Sequence, residues 1–296
     1  MVVERIIVLA KTYPELSTKH GPLVCVAGVN EYREWRRLYP IPAKIWVDKG
    51  DSRYSSIRFK KWDIIEVEVS EKPPQHDRRE ESRKVINWEG IKIVDKIESW
   101  EQRLTIIKQL LDPSIETLIK SSRSLGVIKP VRVEKFFAQP RQRLRSEAEK
   151  QVLEKMDQAD ATLTLLDYVQ AGDEYLLPEV KKPDVKIERL PWIGYRFYCS
   201  PECNGHEMMV IDWEAQELFR KYRRVEGPVE QKLFHEFVYE RDLYFIVGNT
   251  WRHHRSFMII GLFYPPKDTK PVQPLQPIFK QKPRSKTLFD FSPVRV

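Results

Sequence analysis

Short apolar segments, rich in valine and isoleucine, alternate with charged and turn-forming residues through the N-terminal part of the chain. Five of them read RIIVLA, LVCVAGV, WRRLYPI, DIIEVEV and IKIVDKI. Segments of this length between proline, glycine and charged loops are typical of β-strands, and several in succession are typical of a barrel or a sandwich. Residues 1–97 are therefore predicted to form an antiparallel β-barrel-like module.

The apolar residues change to a helical spacing in residues 98–184. Ser99 with Gln102 forms a capping-box pair at the start of this region. The segment DPSIETLIKSS predicts a further helix with Asp112 as its N-cap and a proline in the first helical position. This region is predicted to be helical.

Residues 185–265 combine both patterns, with strands YRFYC, EMMVID, LYFIVG and FMIIGLFYP and two intervening helices. Residues 266–296 have many prolines, an excess of basic residues and no periodicity, which predicts a basic, flexible tail. The expected fold class is α+β. It consists of an N-terminal antiparallel β-barrel-like module, a helical middle and a C-terminal α/β module with a small zinc knuckle.

The composition favours a basic intracellular protein. The chain has 296 residues and a formal net charge of +8, which is typical of nucleic-acid binders and also of proteins that bind membrane surfaces. No apolar run is long enough to cross a membrane. Three cysteines, an odd number, favour a reducing compartment over a disulfide scaffold. A cytoplasmic location without membrane attachment is expected.

Two cysteines and a histidine lie on one predicted hairpin turn with the spacing Cys-x3-Cys-x2-His. Cys199, Cys203 and His206 are ligands that a tetrahedral zinc prefers, and the turn contains a proline and a glycine that let them converge. A fourth ligand is expected from His253 or His254, in the loop between the last two strands. The alternative is two ordinary cysteines beside a hairpin turn.

Five clusters interleave basic with aromatic residues: EWRRLYP, RFKKWD, KPVRVEKFFAQPRQRLR, RKYRR and WRHHR. Basic side chains neutralise phosphates and aromatic rings stack on bases, which suits single-stranded or distorted DNA or RNA. In the alternative, the aromatic residues face the core and the charges face solvent. The segment DRREESR alternates in charge and is predicted to be a solvated loop with internal ion pairs. The residues predicted to bind nucleic acid are Trp35, Arg36, Arg37, Lys60, Lys61, Arg132, Lys135, Arg141, Arg143, Arg145, Arg252 and Arg255.

Three carboxylates near the cysteines, Asp212, Glu214 and Glu207, offer a competing chemistry. Carboxylates of this kind hold Mg²⁺ in enzymes that cleave phosphodiesters. The first two also suit a structural role, because acidic residues are favoured at a helix N-terminus and Asp212 is a natural N-cap. Capping is favoured here, so a catalytic role is assigned only in the alternative.

The C-terminal segment SKTLFDFSP resembles the short peptide by which archaeal and eukaryotic replication and repair proteins bind the sliding clamp. Leu288 and Phe291 fit that pattern, whereas Ser285 stands where glutamine is usual. The resemblance implies that Leu288, Phe289 and Phe291 contact a clamp. The alternative is a C-terminal strand that packs on its own domain.

The segments KTYPELS, VCVAGVN, WRRLYPIP, FKKWDIIEVEV, CNGHEMMVIDWE and GLFYPP extend over residues 11–266. Together they resemble a widespread family of uncharacterised prokaryotic proteins. The resemblance implies no established activity, only that CNGHE and DWE recur together.

These patterns predict a nucleic-acid-binding protein of prokaryotic genome maintenance or of defence against foreign DNA, in a non-catalytic or accessory role and with a structural zinc. One alternative is a metal-dependent nuclease that uses Asp212 and Glu214 with Mg²⁺. Another is a structural partner subunit of a larger nucleoprotein effector complex.

Overall fold

The N-terminal part of the chain forms a seven-stranded sheet. The computed structural model describes residues 1–17, 21–47, 51–75, 77, 79–139, 190–222, 226–250 and 253–272. The strands of the sheet are β1 Val2–Lys11, β2 Glu15–Ser17, β3 Gly21–Asn30, β4 Trp35–Pro42, β5 Asp63–Val69, β6 Ser82–Lys84 and β7 Lys92–Lys96. The five predicted apolar segments correspond to β1, β3, β4, β5 and β7, so these strand predictions are confirmed.

This sheet is open, with the order β6-β4-β3-β1-β5-β7 and with β2 paired to β3. One isolated bridge joins Val69 of β5 to Val85, which follows β6. Within the described residues, no ladder joins the two edge strands, β6 and β7. The predicted barrel therefore does not close. The alternation of apolar and polar residues specifies strands and their faces, whereas closure depends on tilt and stagger between strands.

One short α-helix interrupts the strands of the sheet between β4 and β5, and a longer one follows β7. Helix α1 is a single turn at Lys44–Val47, and α2 spans Trp100–Gln109. The hydroxyl of Ser99 accepts the backbone N–H of Gln102 at 3.1 Å, which confirms the predicted N-cap of α2.

The next helix, α3 Ile115–Lys120, starts later than predicted. Its N-cap is Ser114, whose hydroxyl accepts the N–H of Thr117. Asp112 instead ends β8, Leu111–Asp112, and its carboxylate pairs with Arg123. The prediction of Asp112 as a cap is wrong because the serine two residues later competes for the same role.

The predicted helical region also contains strands. β9 Leu125–Ile128 and β10 Arg132–Gln139 lie within residues 98–184, so the helical prediction is wrong for that stretch. Residues 140–189 lie outside the described residues. β9 joins a four-stranded sheet of order β14-β13-β9-β8, in which β13 is Tyr244–Asn249 and β14 is Phe257–Phe263.

A three-stranded sheet of order β10-β11-β12 completes the C-terminal part, with β11 at Trp192–Tyr198 and β12 at His206–Met209. Helix α4, Trp213–Lys221, follows directly. Helix α5, Glu226–Glu230, continues as a π-helix over Gln231–Glu240. The predicted strand–turn–strand–helix order of this segment is confirmed.

The core joins the N-terminal sheet to the four-stranded sheet. One buried cluster contains Ile7 and Leu9 of β1 together with Val127 of β9 and Ile246 of β13. Gly261 of β14 lies so close to β1 that an added Cβ would be 2.8 Å from the Cβ of Ala10. Among the described residues, no helix is both long and apolar enough to cross a membrane.

Candidate metal centre and arginine-lined cleft

The cysteines lie on a tight hairpin turn. β11 and β12 pair antiparallel, with Phe197 opposite His206, and the turn between them carries both thiols. Gly205 has a φ of 89°, a left-handed conformation that favours glycine. This turn reverses the chain within a few residues and directs Cys199, Cys203 and His206 to one point.

The fourth member of the cluster is Glu116, in the first turn of α3. Its carboxylate, the two thiols and the imidazole of His206 place their ligand atoms within 4.8 Å of one another. Cys199 is buried, whereas the side chain of Glu116 is 60% exposed. This is the only group of three or more potential metal-ligating side chains in the part of the chain that the structure describes.

The separations within the cluster fit a tetrahedral zinc ion. The sulfurs of Cys199 and Cys203 are 3.5 Å apart, Cys199 Sγ is 3.3 Å from His206 Nε2, and His206 Nε2 is 3.1 Å from a Glu116 oxygen. Ideal bond lengths in a zinc tetrahedron require about 3.8, about 3.5 and about 3.3 Å for these edges. Mg²⁺ and Ca²⁺ prefer all-oxygen ligands, so sulfur and nitrogen donors exclude them.

Without a metal ion, burial keeps the thiol of Cys199 protonated. Burial is the largest effect on the Cys199 thiol, and together with its neighbours it raises the pKa of that thiol to about 12. Burial also opposes ionisation of Glu116, but hydrogen bonds and the adjacent His206 hold its pKa below the usual value. A divalent cation favours the thiolate and so would replace the Cys199 proton.

His253 and His254 do not belong to this cluster. Both are exposed in the loop before β14, and the backbone carbonyl of His254 accepts the side-chain amide of Asn249 at 2.7 Å. Sequence alone could not identify Glu116, because it lies 83 residues before Cys199 in a short helix and shares no ligand spacing with the cysteines.

The second candidate site is a cleft of about 1510 Å³ between the two parts of the chain. Four separate parts of the chain line it, at positions 34–36, at 75, 79–81 and 83, at 119 and 121–125, and at 249, 254 and 255. It brings together residues of two predicted basic–aromatic clusters, Trp35 and Arg36 of EWRRLYP and His254 and Arg255 of WRHHR. The arginines that line the cleft are Arg36, Arg79, Arg83, Arg123 and Arg255.

Arg36 is largely satisfied by carboxylates of the protein. Its guanidinium pairs with Glu4 at 2.6 Å and with Glu34 at 2.7 Å. Arg37, which was also predicted to bind nucleic acid, is buried and donates to Ser124 at 3.0 Å. Both arginines therefore hold the cleft wall together rather than projecting into solvent.

The segment DRREESR forms one wall of the cleft and is not merely a solvated loop. Arg79 pairs with Asp77 at 2.6 Å and donates to the backbone carbonyl of Asn249 at 2.7 Å. Asp77 and Ser82 are buried and hydrogen-bonded to each other at 2.7 Å. One predicted internal ion pair, Asp77 with Arg79, is present, and the hydrogen bond from Arg79 to Asn249 attaches the segment to β13.

Two arginines of the cleft form no ion pair with a described residue, although Glu34, Glu80 and Glu81 also line the cleft. Arg83 donates only to backbone carbonyls, and neither Arg83 nor Arg255 forms an ion pair with another described residue. Trp35 is half-buried, packs against the core and lines the same cleft; its indole nitrogen is buried and has no hydrogen-bond partner among the described residues. Arg255 is exposed, and the exposed parts of Arg83 and Trp35 face the same cleft.

The other predicted nucleic-acid-binding residues lie elsewhere. Lys61 is buried in ion pairs with Asp212 and Glu214, and Lys60 is exposed. On β10, Arg132 lies 3.8 Å from Glu134, and Lys135 lies 3.6 Å from Glu207. Arg141, Arg143, Arg145 and Arg252 lie outside the described residues, as do Leu288, Phe289 and Phe291.

The carboxylates of the alternative nuclease site are not gathered around a vacant point. Asp212 is the N-cap of α4 and accepts the N–H of Ala215 at 3.0 Å. Lys61 lies 2.8 Å from Asp212 and 2.6 Å from Glu214. Glu207, in β12, pairs instead with Lys135 of β10, across β11. A lysine ammonium therefore occupies the position that a metal ion would need.

Buried Lys11 was not identified from the sequence. Its ammonium lies 4.9 Å from the ring of Trp46 and 5.5 Å from that of Trp213, and it donates to the carbonyl of Phe59 at 3.4 Å. Burial lowers the pKa of Lys11 from 10.5 to about 8, with Glu214 opposing that shift. The sequence shows a lysine in an apolar strand, but only the structure shows that Trp46 and Trp213 lie beside its ammonium.

Two family models match the chain. One, described as Domain of unknown function (DUF8758), matches residues 2–109, and the other, described as Domain of unknown function (DUF8757), matches residues 113–290. Residues 110–112, between α2 and α3, separate the two matches. No curated protein matches the chain significantly. The matches are consistent with the uncharacterised family that the sequence resembles.

Proposed function

We propose that this chain, which belongs to the family described as domain of unknown function DUF8757, binds nucleic acid in the arginine-lined cleft and carries a structural zinc ion. The observation that supports binding most strongly is the convergence of four distant segments on one cleft with five arginine side chains.

The distribution of charge within the cleft supports a phosphate ligand. Arg36 and Arg79 are neutralised by internal carboxylates and define the shape of the wall. Arg83 donates to backbone carbonyls, and neither it nor Arg255 forms an ion pair with a described residue, although Glu80 and Glu81 lie in the same lining. Guanidinium groups bind phosphate oxygens in a bidentate manner. Two phosphates of a backbone are therefore the smallest ligand that would match the available charge.

Trp35 and the size of the cleft favour a single strand of nucleic acid over a small molecule as the ligand. Pockets for small ligands have volumes of about 300–1,000 Å³, and this cleft exceeds that range at about 1510 Å³. An indole ring beside arginines that form no ion pair suits base stacking, which contributes about 1–3 kcal/mol per base. A single strand presents bases and phosphates together, so single-stranded DNA or RNA is the preferred ligand.

The zinc proposal rests on the closed donor set. Two thiolates, one imidazole and one carboxylate fill a tetrahedral coordination sphere and leave no position for substrate, which is the character of a structural site. The ion would join the hairpin turn to α3 across a long stretch of sequence. Metal analysis of the purified chain should give one zinc per molecule.

The proposed biological setting is that suggested by the sequence: prokaryotic genome maintenance or defence against foreign DNA, in an accessory role. The sliding-clamp contact through Leu288, Phe289 and Phe291 and the membership of a larger effector complex are parts of the same proposal. Pull-down of the full chain with a purified clamp, against Phe291→Ala, would test the contact.

The decisive experiment measures binding of the full chain to fluorescent single-stranded DNA and RNA of about 20 nucleotides. Arg83→Ala combined with Arg255→Ala should weaken binding, whereas Lys92→Ala combined with Lys108→Ala should not. The control removes the same charge from exposed lysines that do not line the cleft.

The salt dependence gives an independent check. Loss of two phosphate contacts should reduce the slope of log affinity against log salt by about 1.4 for a single strand. Equal slopes and equal affinities for the two double variants would refute the cleft as the binding site. Absence of binding to any probe at low salt would refute the proposed function itself.

A further inference from the structure

We infer that the metal centre controls the affinity of the arginine-lined cleft, because one short helix belongs to both sites. This inference rests on the nucleic-acid-binding function proposed above and names the regulation of that same site. Helix α3 carries Glu116 of the metal cluster in its first turn. Ile119 near its end, and the residues that follow it, line the cleft.

Helix α3 is too short to define its own position. It has six residues, and isolated helices shorter than about 12–15 residues are marginal in water. Its buried residues Ile115 and Leu118 pack into the core cluster that also contains Cys199. The contacts at its two ends restrain its orientation further, beyond this core packing.

The metal would provide the contact at the first end. Glu116 lies against His206 and Cys199, at 3.1 and 3.5 Å, and these ligands come from the hairpin turn between β11 and β12. In the absence of a metal these contacts are hydrogen bonds of an exposed carboxylate, which contribute little. Coordination replaces them with bonds of fixed length and direction.

The cleft wall begins at the other end. Ser122 has a φ of 54°, and this left-handed residue turns the chain out of α3 and into the cleft. Arg123 pairs with Asp112 at 2.5 Å, while Ser124 donates to Glu81 and accepts from Arg37 at 3.0 Å. A shift of α3 would therefore move the segment that links the wall to both Arg37 and Glu81.

The expected effect is a positive coupling between metal and nucleic acid. Couplings between sites are typically 5- to 150-fold in affinity, and they are reciprocal by thermodynamic linkage. Zinc-loaded protein should accordingly bind a single-stranded oligonucleotide at least about fivefold more tightly than metal-free protein. The oligonucleotide should raise the zinc affinity by the same factor.

The experiment uses the full chain with zinc and with zinc removed by a chelator, and a fluorescent oligonucleotide of about 20 nucleotides as the probe. Zinc affinity is measured by competition with a chromophoric chelator, with and without the oligonucleotide. Circular dichroism confirms that the metal-free chain stays folded. Equal oligonucleotide affinities with and without zinc would overturn the coupling.

A conservative variant separates coordination from folding. Glu116→Gln keeps the size of the side chain and one acceptor oxygen but is a poorer zinc ligand, so it should reproduce the effect of metal removal. Glu202→Gln is the matched control. Glu202 is an exposed carboxylate on the hairpin turn beside Cys203, and it does not belong to the cluster. If both variants lost a similar amount of affinity, the cause would be the removed negative charge and not zinc coordination, and the coupling would be overturned.

Hydrogen exchange distinguishes failure of the coupling from failure of the proposed function. Zinc should slow amide exchange in residues 121–125, which line the cleft, whether or not nucleic acid binds. Slower exchange without any oligonucleotide binding would reject the proposed function but retain the mechanical link. Unchanged exchange in these residues would overturn the inference.

Discussion

The ammonium of Lys61 lies 2.8 Å from the carboxylate of Asp212, although 151 residues separate the two in sequence. Asp212 also accepts the N–H groups of Ala215 and Leu262, at 3.0 and 3.1 Å. One carboxylate thereby joins the start of α4 to β14 and to the loop before β5. Its side chain is 1% exposed, so these bonds form in a site that excludes water.

Lys61→Met should destabilise the protein strongly. The variant would leave the buried carboxylate of Asp212 without its counter-ion, a change that typically costs 3–5 kcal/mol. The free energy of unfolding, measured with urea at pH 7, should fall by about that amount. Glu214→Gln is the control, because Glu214 also pairs with Lys61 but is 44% exposed, and exposed pairs contribute about 0–1 kcal/mol. Equal losses in the two variants would contradict this account.

The same ion pairs predict that the chain does not cleave nucleic acid by itself. Both carboxylates of the alternative catalytic site bind Lys61, and Glu207 pairs with Lys135 elsewhere. Incubation of labelled DNA and RNA with the protein and Mg²⁺ or Mn²⁺ should yield no products. Cleavage that Asp212→Ala abolishes, in a chain that circular dichroism shows to be folded, would contradict the prediction.

Local patterns predicted the N-terminal strands and the helix starts at Ser99 and Asp212, because these depend on neighbouring residues. The apolar segments of β1, β3 and β5, the cap at Ser99 and the cap at Asp212 are all present. The open sheet was not predictable in this way, since its edges are decided by pairing between β4 and β6, which are far apart in sequence.

The candidate sites show the same limit. Cys199, Cys203 and His206 are close in sequence, and they could be recognised from their spacing. Glu116 could not, because only the packing of α3 against the hairpin turn brings it there. Arg36 and Arg37 matched a binding pattern, yet the structure pairs them with Glu4 and Ser124, contacts that composition does not encode.

Loss of the metal should lower the thermal stability of the protein. Cys203→Ser removes one thiolate from the cluster, and metal binding that requires the folded site stabilises the fold. Scanning calorimetry should show a lower Tm for the variant, and added chelator should lower the Tm of the wild type but not of the variant. Cys25→Ser is the matched control, since Cys25 is outside the cluster. A chelator-insensitive wild type would contradict a structural metal.

Lys11 predicts an unusual rise of stability in alkaline solution. Burial lowers its pKa from 10.5 to about 8 in the folded chain. Below the folded pKa, Lys11 is protonated in both states, so the full cost of burying its charge is present. Between about 8 and 10.5 the unfolded chain binds more protons than the folded one, and stability therefore increases with pH over this interval.

Other groups titrate in the same range, so the test compares wild type with Lys11→Met. The charges acting on Lys11 are Glu214, Lys61, Asp212 and Asp63, and all of them are retained in the variant. Between pH 7 and about pH 10.5, the free energy of unfolding of the wild type should rise by about 3 kcal/mol relative to that of Lys11→Met. Urea unfolding of both proteins at several pH values measures it. A difference that stays constant with pH would show that the ammonium, held between Trp46 and Trp213, titrates as it does in the unfolded chain.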